Sequence, residues 1–438
     1  MRHAAESTVI SNRGETTRVT DNTDQASAAE LRQELADGLV SGGHITSPEV
    51  EAAFRAVPRH LFAPGVSLEE AYADDIVAVK RDEHGVYIST ISAPNIQALQ
   101  LEQAELTPGM RVLEIGSGGY NAALIAEIVG PGGEVTTVDI DPDVIDRAAM
   151  FLETAGYSRV RVVLADAEGG VPESAPYDRI LVTVGAWDIP PAWIDQLAEG
   201  GRIVVPLRVK GVTRSLALER EGDHLVSRSQ RVCGFVKMQG AGAHDEHLWL
   251  LRGTQVALRF DDGNLAEPHK LNGVLAGTPA AAWSGVTVER TEPFANLPLW
   301  MMTALPGYCT LAVDTSDGDP GVAVEEGGRW FPFATVEGDS FAYLSTRPAG
   351  ESRVEFGAHG YGPRGGQVAK AIVEQVRRWD RDYRRGRGPS FTVWPIDTPE
   401  DVLPEGAVIT KRHTRVTISW PEVEAPGQAV PHPSSEGE

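Results

Sequence analysis

The sequence predicts two folded domains in series: an α/β domain built on a parallel sheet covered by helices, followed by an α+β domain. Three observations carry this expectation. At 438 residues the chain is too long for one ordinary hydrophobic core. Between Arg111 and Leu207 short apolar runs alternate with helix-like segments, which is how a helix-covered parallel sheet is encoded. Beyond about Phe235 that alternation gives way to short strand-like runs broken by Gly, Pro and Asp.

Residues 1–27 are polar and rich in Ser, Thr, Asn and Asp, too poor in apolar side chains to repay the entropy of ordering, and are expected to be a disordered tail. From Ala28 to Phe62 the apolar positions Leu31, Leu35, Leu39, Val50, Phe54 and Val57 recur at helical spacing. Two short helices follow, the second started by a cap and an N1 proline in Thr46-Ser47-Pro48-Glu49. The sheet strands are read at Val112 to Ile115, Glu134 to Val138, Val160 to Leu164, Ile180 to Val184 and Ile203 to Val205. The first domain is thus placed at 28–235 and the second at 236–424. In the second, strands are read at Val256 to Phe260, Thr310 to Val313, Ser352 to Phe356 and Val408 to Ile418. Its one helix runs from about Gly366 to Tyr383, with Val368, Ile372, Val376, Trp379 and Tyr383 on one face. Residues 425–438, rich in Pro, Ser and Glu, are expected to be a second disordered tail. No internal repeat of fixed period is present.

Composition narrows the function classes. The chain is 42% hydrophobic and has no apolar run long enough to span a bilayer, so no membrane role is expected. The N-terminus lacks the apolar core of a secretion signal, and Cys233 and Cys309 are the only cysteines, so a cytoplasmic location is expected. A formal charge of -23 repels phosphate backbones and argues against nucleic acid as a partner.

The chemistry-bearing motif is a glycine turn between a first strand and a helix. Arg111-Val112-Leu113-Glu114-Ile115 runs into Gly116-Ser117-Gly118-Gly119-Tyr120-Asn121 and then a helical segment. Such a turn lets a nucleotide-bearing ligand approach backbone amides closely, as in Rossmann-like domains. Asn121 stands where a dinucleotide fingerprint needs its third glycine. The acidic Glu114 also suits an amino-acid ligand bearing a sulfonium better than a diphosphate. Asp139, followed by Ile140, ends the second strand where an acid can take both ribose hydroxyls. Asp166, followed by Ala167, ends the third as a candidate for an adenine amino group.

Four ordered stretches carry a resemblance. Val57-Pro58-Arg59-His60-Leu61-Phe62, Ala71-Tyr72-Ala73-Asp74, Thr90-Ile91-Ser92-Ala93-Pro94 and the block from Pro176 to Pro206 together resemble the protein L-isoaspartate O-methyltransferases, over about residues 28 to 235. The resemblance implies a Rossmann-like class I methyltransferase domain using S-adenosyl-L-methionine and releasing S-adenosyl-L-homocysteine. It implies that Glu114, Gly116, Ser117, Gly118, Tyr120, Asp139, Ile140, Asp166 and Ala167 hold the cofactor. It also implies that Ser92 and Asp74 sit at the carboxyl acceptor. The glycine loop is one residue shorter than the family's G-x-G-x-G-Y, and a long second domain follows. In both respects the chain resembles the family homologues encoded with lanthipeptide and graspetide precursors, including the type named for an FxLD system. That implies methylation of an aspartate in a ribosomally made, modified peptide (RiPP), then closure to a succinimide (aspartimide).

An aspartyl side chain with an ordinary pKa near 3.9 is already an anion at neutral pH, so methyl transfer to it needs no general base. Alignment and exclusion of water suffice, effects that can reach roughly 7–11 kcal/mol. Ser92 would then donate a hydrogen bond to the acceptor, and Asp74 would grip peptide amides. His60 is read as a packing or capping residue. His244-Asp245-Glu246-His247 has ligand-type residues but no second cluster to complete a site, so no metal is expected. Arg377, Arg378, Arg381, Arg384, Arg385 and Arg387 read as a solvated helix end, with a dock for an acidic peptide as the sharper alternative. Two other functions stand beside peptide tailoring: general isoaspartate repair, and a nonenzymatic cofactor-binding scaffold.

Overall fold

A computed structural model describes residues 13–83, 85–263, 265, 267–314, 322 and 332–422, with side chains from residue 26 onward. The tail expected at 425–438 lies outside these residues, as do residues 1–12. Two compact units are present. The first comprises Met1–Leu207, Arg214–Gly222 and Arg228–Ala243, and the second Arg208–Thr213, Asp223–Ser227 and His244–Glu438.

The first unit begins with helix α1 (Arg13–Ser41), so residues 13–27 are helical rather than the expected tail. Ala28, Leu35, Ala36 and Leu39 are buried and nucleate the helix. The helix continues back through a stretch rich in Thr, Asp and Asn, residues that favour helix less than Ala or Leu. Helix α2 (Pro48–Ala56) has Pro48 in its first turn, but the Ser47 side chain does not cap it. Instead the amides and hydroxyls of Thr46 and Ser47 all donate to Glu102. Short α3 (Leu68–Ala71) leads to a hairpin of β1 (Val77–Arg81) and β2 (Tyr87–Ile91), then to α4 (Pro94–Ala104).

The sheet follows as β3 (Arg111–Ile115), α5 (Tyr120–Val129), β4 (Glu134–Asp139), α6 (Pro142–Thr154), β5 (Arg161–Leu164), β6 (Tyr177–Val182), α7 (Pro191–Asp195) and β7 (Leu197–Val209). Its order is β5-β4-β3-β6-β7, all parallel, with β8 (Val212–Glu221) and β9 (His224–Val232) continuing from β7. The chain leaves β3 outward through β4 and β5, then returns to the other side of β3 with β6. A reversal of that kind opens a crevice at the carboxyl ends of the strands, where ligands bind in such sheets. Helix α5 is buried on nearly every side, which matches its almost wholly apolar sequence.

The second unit holds β10 (His247–Arg252), β11 (Val256–Phe260), β12 (Ala280–Glu289), α8 (Asn296–Ala304), β13 (Tyr308–Val313), β14 (Phe333–Glu337), β15 (Ser340–Pro348) and β16 (Arg353–Tyr361). These strands form an antiparallel sheet in the order β10-β11-β13-β14-β15-β16-β12. Helix α9 (Gly365–Asp382) lays Val368, Ile372, Val376 and Trp379 against it, as the periodicity predicts. Strands β17 (Ser390–Pro395), β18 (Ala407–Thr410) and β19 (Thr414–Ser419) pair antiparallel in the order β18-β19-β17. The run Val408 to Ile418, read as one strand, is therefore two. Four of the arginines of α9 and the turn beyond it, Arg377, Arg378, Arg381 and Arg384, are engaged locally. Arg384 is buried against Glu292 and Asp380, Arg381 pairs with Asp382, and Arg377 donates to the carbonyls of Ser284 and Trp283.

No helix among the described residues is long and apolar enough to cross a membrane.

Candidate active site

At the end of β3 the backbone turns through Gly116, at φ +96°, and Gly119, at φ +82°. A Cβ on Gly116 would lie 2.6 Å from the Thr183 hydroxyl at the end of β6, so the close approach of these strand ends requires glycine as much as the dihedral does. Thr183 Oγ1 sits within hydrogen-bond distance of the carbonyls of Ile115 and Gly116, at 3.0 and 2.9 Å, and donates into this pair.

Beneath the loop, Glu114 is fully buried and accepts from Asn121 Nδ2 at 2.9 Å and Thr137 Oγ1 at 2.6 Å. Burial pushes its carboxyl up to about 7, against the pull of those two donors. Asp139 accepts from the Ser117 amide at 2.9 Å and the Asp141 amide at 3.0 Å, so this carboxylate ties the glycine loop to the end of β4. Its pKa is also raised, chiefly by burial.

Two cavities open here. The first, about 720 Å³ with its open mouth, is lined by Gly116, Ser117, Gly118, Asp139, Ile140 and Ala167 among others. The second, about 1400 Å³ with its mouth, is lined by Ile76, Tyr87, Ser92, Ala93, Ile96 and Phe235 among others. They share Ile88, Thr90, Thr183 and the strap Val236–Gln239. A small polar recess behind the loop is bounded by Ser92, Gln97, Gln100, Glu114, Tyr120 and Asn121.

Six of the residues expected at the cofactor, Gly116, Ser117, Gly118, Asp139, Ile140 and Ala167, therefore share one wall. Glu114 and Tyr120 lie behind it, Tyr120 fully buried against Phe54 and Phe62. Asp166 does not line the cavity. Its carboxylate accepts from the Glu168 amide at 2.9 Å and the Ala241 amide at 2.7 Å, fastening the strap. The first unit thus runs on through Ala243, past the boundary expected at Phe235. Of the two residues expected at the acceptor, Ser92 lines the second cavity. Asp74 lines neither cavity; it is exposed and accepts from the Asn95 amide at 2.8 Å in the first turn of α4.

The sequence reading passed over Arg59 as a part of the site. This arginine is fully buried and donates to the carbonyls of Ala71, Asp75 and Ser92 and to Gln97 Oε1, while its guanidinium lies 5.0 Å from the centre of the Tyr120 ring. It gathers three of the four motif stretches into one place. His60 packs beside it with Nδ1 2.8 Å from the Tyr72 hydroxyl, and burial lowers its pKa. Of the His244–His247 run, Glu246 pairs with Arg208 and Arg259, and His244 meets the carbonyl of Asp261.

Residues 30–242 match the family model described as protein-L-isoaspartate(D-aspartate) O-methyltransferase. A protein-L-isoaspartate O-methyltransferase of Hyperthermus butylicus is 41% identical over 221 residues, covering 48% of this chain and 89% of the relative. One of Pyrococcus horikoshii is 36% identical over 229 residues, covering 52% of this chain and 98% of the relative. The chain belongs to the protein-L-isoaspartate O-methyltransferase family. A solved protein-L-isoaspartate O-methyltransferase structure aligns over 82% of this chain and 96% of its own, at 24% identity and a TM-score of 0.47. The family's enzymes are carboxyl methyltransferases acting on proteins and peptides with S-adenosylmethionine as methyl donor, and this chain has their Rossmann-like fold followed by a further β-rich region.

The cavity suits that donor. Ser117 Oγ and Asn121 Oδ1 are buried and have no hydrogen-bond partner among the described residues, so polar groups are left over at the glycine loop for a ligand to satisfy.

Proposed function

We propose that this chain methylates an aspartyl side-chain carboxylate in a ribosomally made, modified peptide of lanthipeptide or graspetide type, in the cytoplasm. The observation that carries the reading is the second unit. The family model ends at residue 242, and the relatives that match nearly their whole length account for only about half of this chain. A catalytic half that is complete in those relatives is here joined to a large extra surface, as selection of one carboxylate in one peptide requires.

Within the first cavity, Ser117 and Gly118 meet the methionine end of the donor, and Asp139 turns its remaining lone pairs to the ribose hydroxyls. Ile140 and Ala167 flank the adenine. Asp166 acts there through the strap it fastens, and Glu114 and Tyr120 support the loop from behind. Bound S-adenosylmethionine supplies an electrophilic methyl group. In the second cavity the Ser92 hydroxyl donates to the acceptor carboxylate, which is ionised at neutral pH and needs no base. Ile88, Val236 and Met238 exclude water from the meeting point. The neutral ester then reacts within the peptide: the next amide nitrogen bonds to the ester carbonyl, methanol leaves with the amide proton, and a succinimide remains.

The 36–41% identity to proteins named for isoaspartate favours a second reading, in which general isoaspartyl sites are the acceptors. Full-length protein assayed with a precursor peptide encoded beside its gene and with generic isoaspartyl peptides separates the two. Tailoring predicts a kcat/KM at least about a hundredfold higher for the precursor, with mass spectra that show a methyl gained and then methanol lost. Equal turnover of both peptide classes would leave repair as the function.

A further inference from the structure

We infer that strand β10 is a docking edge, on which an extended segment of the substrate peptide adds one more strand to the sheet of the second unit. The inference rests on the reading that the second unit helps to choose the peptide, and not on which residue of that peptide is methylated.

β10 stands last in its sheet and is paired with β11 on one side only. An end strand presents a row of amides and carbonyls to whatever can pair with them. Beyond the ladder with β11, residues 248–251 make no backbone hydrogen bond among the described residues. The opposite end of the sheet, β12, is treated differently, for Arg377 of α9 donates to the carbonyls of Ser284 and Trp283 there. Charged side chains and prolines are the usual guards of an edge strand, yet residues 248–251 read Leu-Trp-Leu-Leu. The one register shift of β10 falls at its end, between Leu250 and Arg252.

The side chains agree with the backbone. Trp249 and Leu251 pack inward against the core that holds Leu258, Phe260, Leu271 and Leu275. Leu248 and Leu250, on the other face, are 56% and 52% exposed. Folding gains little from two leucines left in water beside an unpaired edge, and a strand laid along that edge would cover both.

Size and charge decide the occupant. The six residues of β10, at about 3.4 Å each, make an edge about 20 Å long, and a strip roughly 10 Å wide along it covers about 200 Å². A stable dimer buries about 800 Å² on each partner. Two copies of a chain of net charge -23 also repel each other. A second copy therefore finds too little here. A peptide already held by its acceptor carboxyl needs only a weak second grip, because that contact forms at high effective concentration. The segment that fits is about six residues long, extended and free of proline, with apolar side chains at every second position.

The test uses full-length protein and a fluorescent hexapeptide, Thr-Val-Thr-Val-Thr-Val, beside the same peptide N-methylated at its two central residues. Wild type should bind the first with a Kd below about 1 mM and the second at least about tenfold more weakly, since N-methyl groups remove ladder donors and leave the side chains in place. The double variant Leu248→Lys, Leu250→Lys should bind the hexapeptide about tenfold more weakly and raise the KM for the precursor peptide by about tenfold. Its kcat, melting temperature and S-adenosylhomocysteine affinity should stay at wild-type values. Equal binding of the two hexapeptides, or wild-type binding by the double variant, overturns the inference. An unchanged KM for the precursor in the double variant overturns it too, by showing that the substrate docks elsewhere. Sedimentation of wild type as a dimer that the double variant dissolves would give the edge to a second copy and overturn the choice of occupant. A wild-type chain that methylates no precursor refutes the tailoring reading instead, and the hexapeptides still decide whether β10 is a docking edge.

Discussion

The two cavities of the first unit meet at Thr90 and Thr183 but are built from different materials. The cofactor side is largely main chain, shaped by Gly116 and Gly119 and held by carboxylates whose oxygens are already committed to the loop and strand ends. The acceptor side is largely side chain, with aliphatic residues of the β1–β2 hairpin facing a strap that is fastened at Gly185 and Asp166. One invariant ligand suits a rigid cradle of amides. A peptide, whose flanking residues vary, suits a wall of aliphatic side chains interspersed with hydroxyls.

That contrast orders the expected effects of mutation. The largest belongs to Gly116→Ala, which places a methyl 2.6 Å from Thr183 Oγ1 at a φ of +96°. Cofactor affinity measured by calorimetry should fall about a hundredfold or more, since the loop cannot keep its path with a side chain there. Binding within a factor of about three would mean the cradle is adaptable after all.

A smaller effect separates two acids that look alike in sequence. Asp139→Ala removes the tie to Ser117 as well as the proposed ribose acceptor and should weaken cofactor binding by well over about tenfold. Asp166→Ala only loosens the strap and should cost about threefold. Equal losses would return Asp166 to direct contact with the adenine.

Glu114 sharpens the comparison through pH. Its folded pKa of about 7 lies above the ordinary 4.5, so the folded state binds more protons than the unfolded state between those values. The stability linked to this group is fully present below pH 4.5 and is lost as pH rises through about 7. Glu114→Gln should remove that slope from a series of thermal melts, with Asn121 and Thr137 still bonded to the amide. A slope unchanged in the variant would assign it elsewhere.

The smallest effect concerns Asp74. As a cap on α4 it can be replaced by Asn, which keeps an oxygen for the Asn95 amide, so Asp74→Asn should shift neither the melting temperature nor methyl transfer appreciably. Methyl transfer that falls while the melting temperature holds would place the carboxylate at the peptide, as the sequence suggested.

Strands in both sheets were legible where short, mainly apolar runs stand between turn residues, and Arg111–Ile115 and Val256–Phe260 fall within a residue of the reading. The glycine turn was legible for the same local reason. Helix α1 extends to Arg13 through residues whose composition argues against helix, so neither composition nor propensity foretold it. The strap beyond Phe235 has no periodicity of its own and is ordered by contacts with Gly185 and Asp166, at long range in the chain. Arg59 was passed over, and the cap that Asp74 makes on α4 was not foreseen, for a related reason. Their partners lie 12 to 38 residues away for Arg59 and 21 away for Asp74, and only folding brings those groups together.

The division of labour between the cavities is tested most directly by Ser92→Ala, in which calorimetry with S-adenosylhomocysteine is set beside methyl transfer to peptide. Ser92 lines the acceptor cavity and the recess behind the loop but not the cofactor cavity. Cofactor affinity should stay within about twofold of wild type while kcat/KM for the peptide falls by about tenfold or more. Affinity and turnover falling together, or turnover at the wild-type rate, would contradict the account.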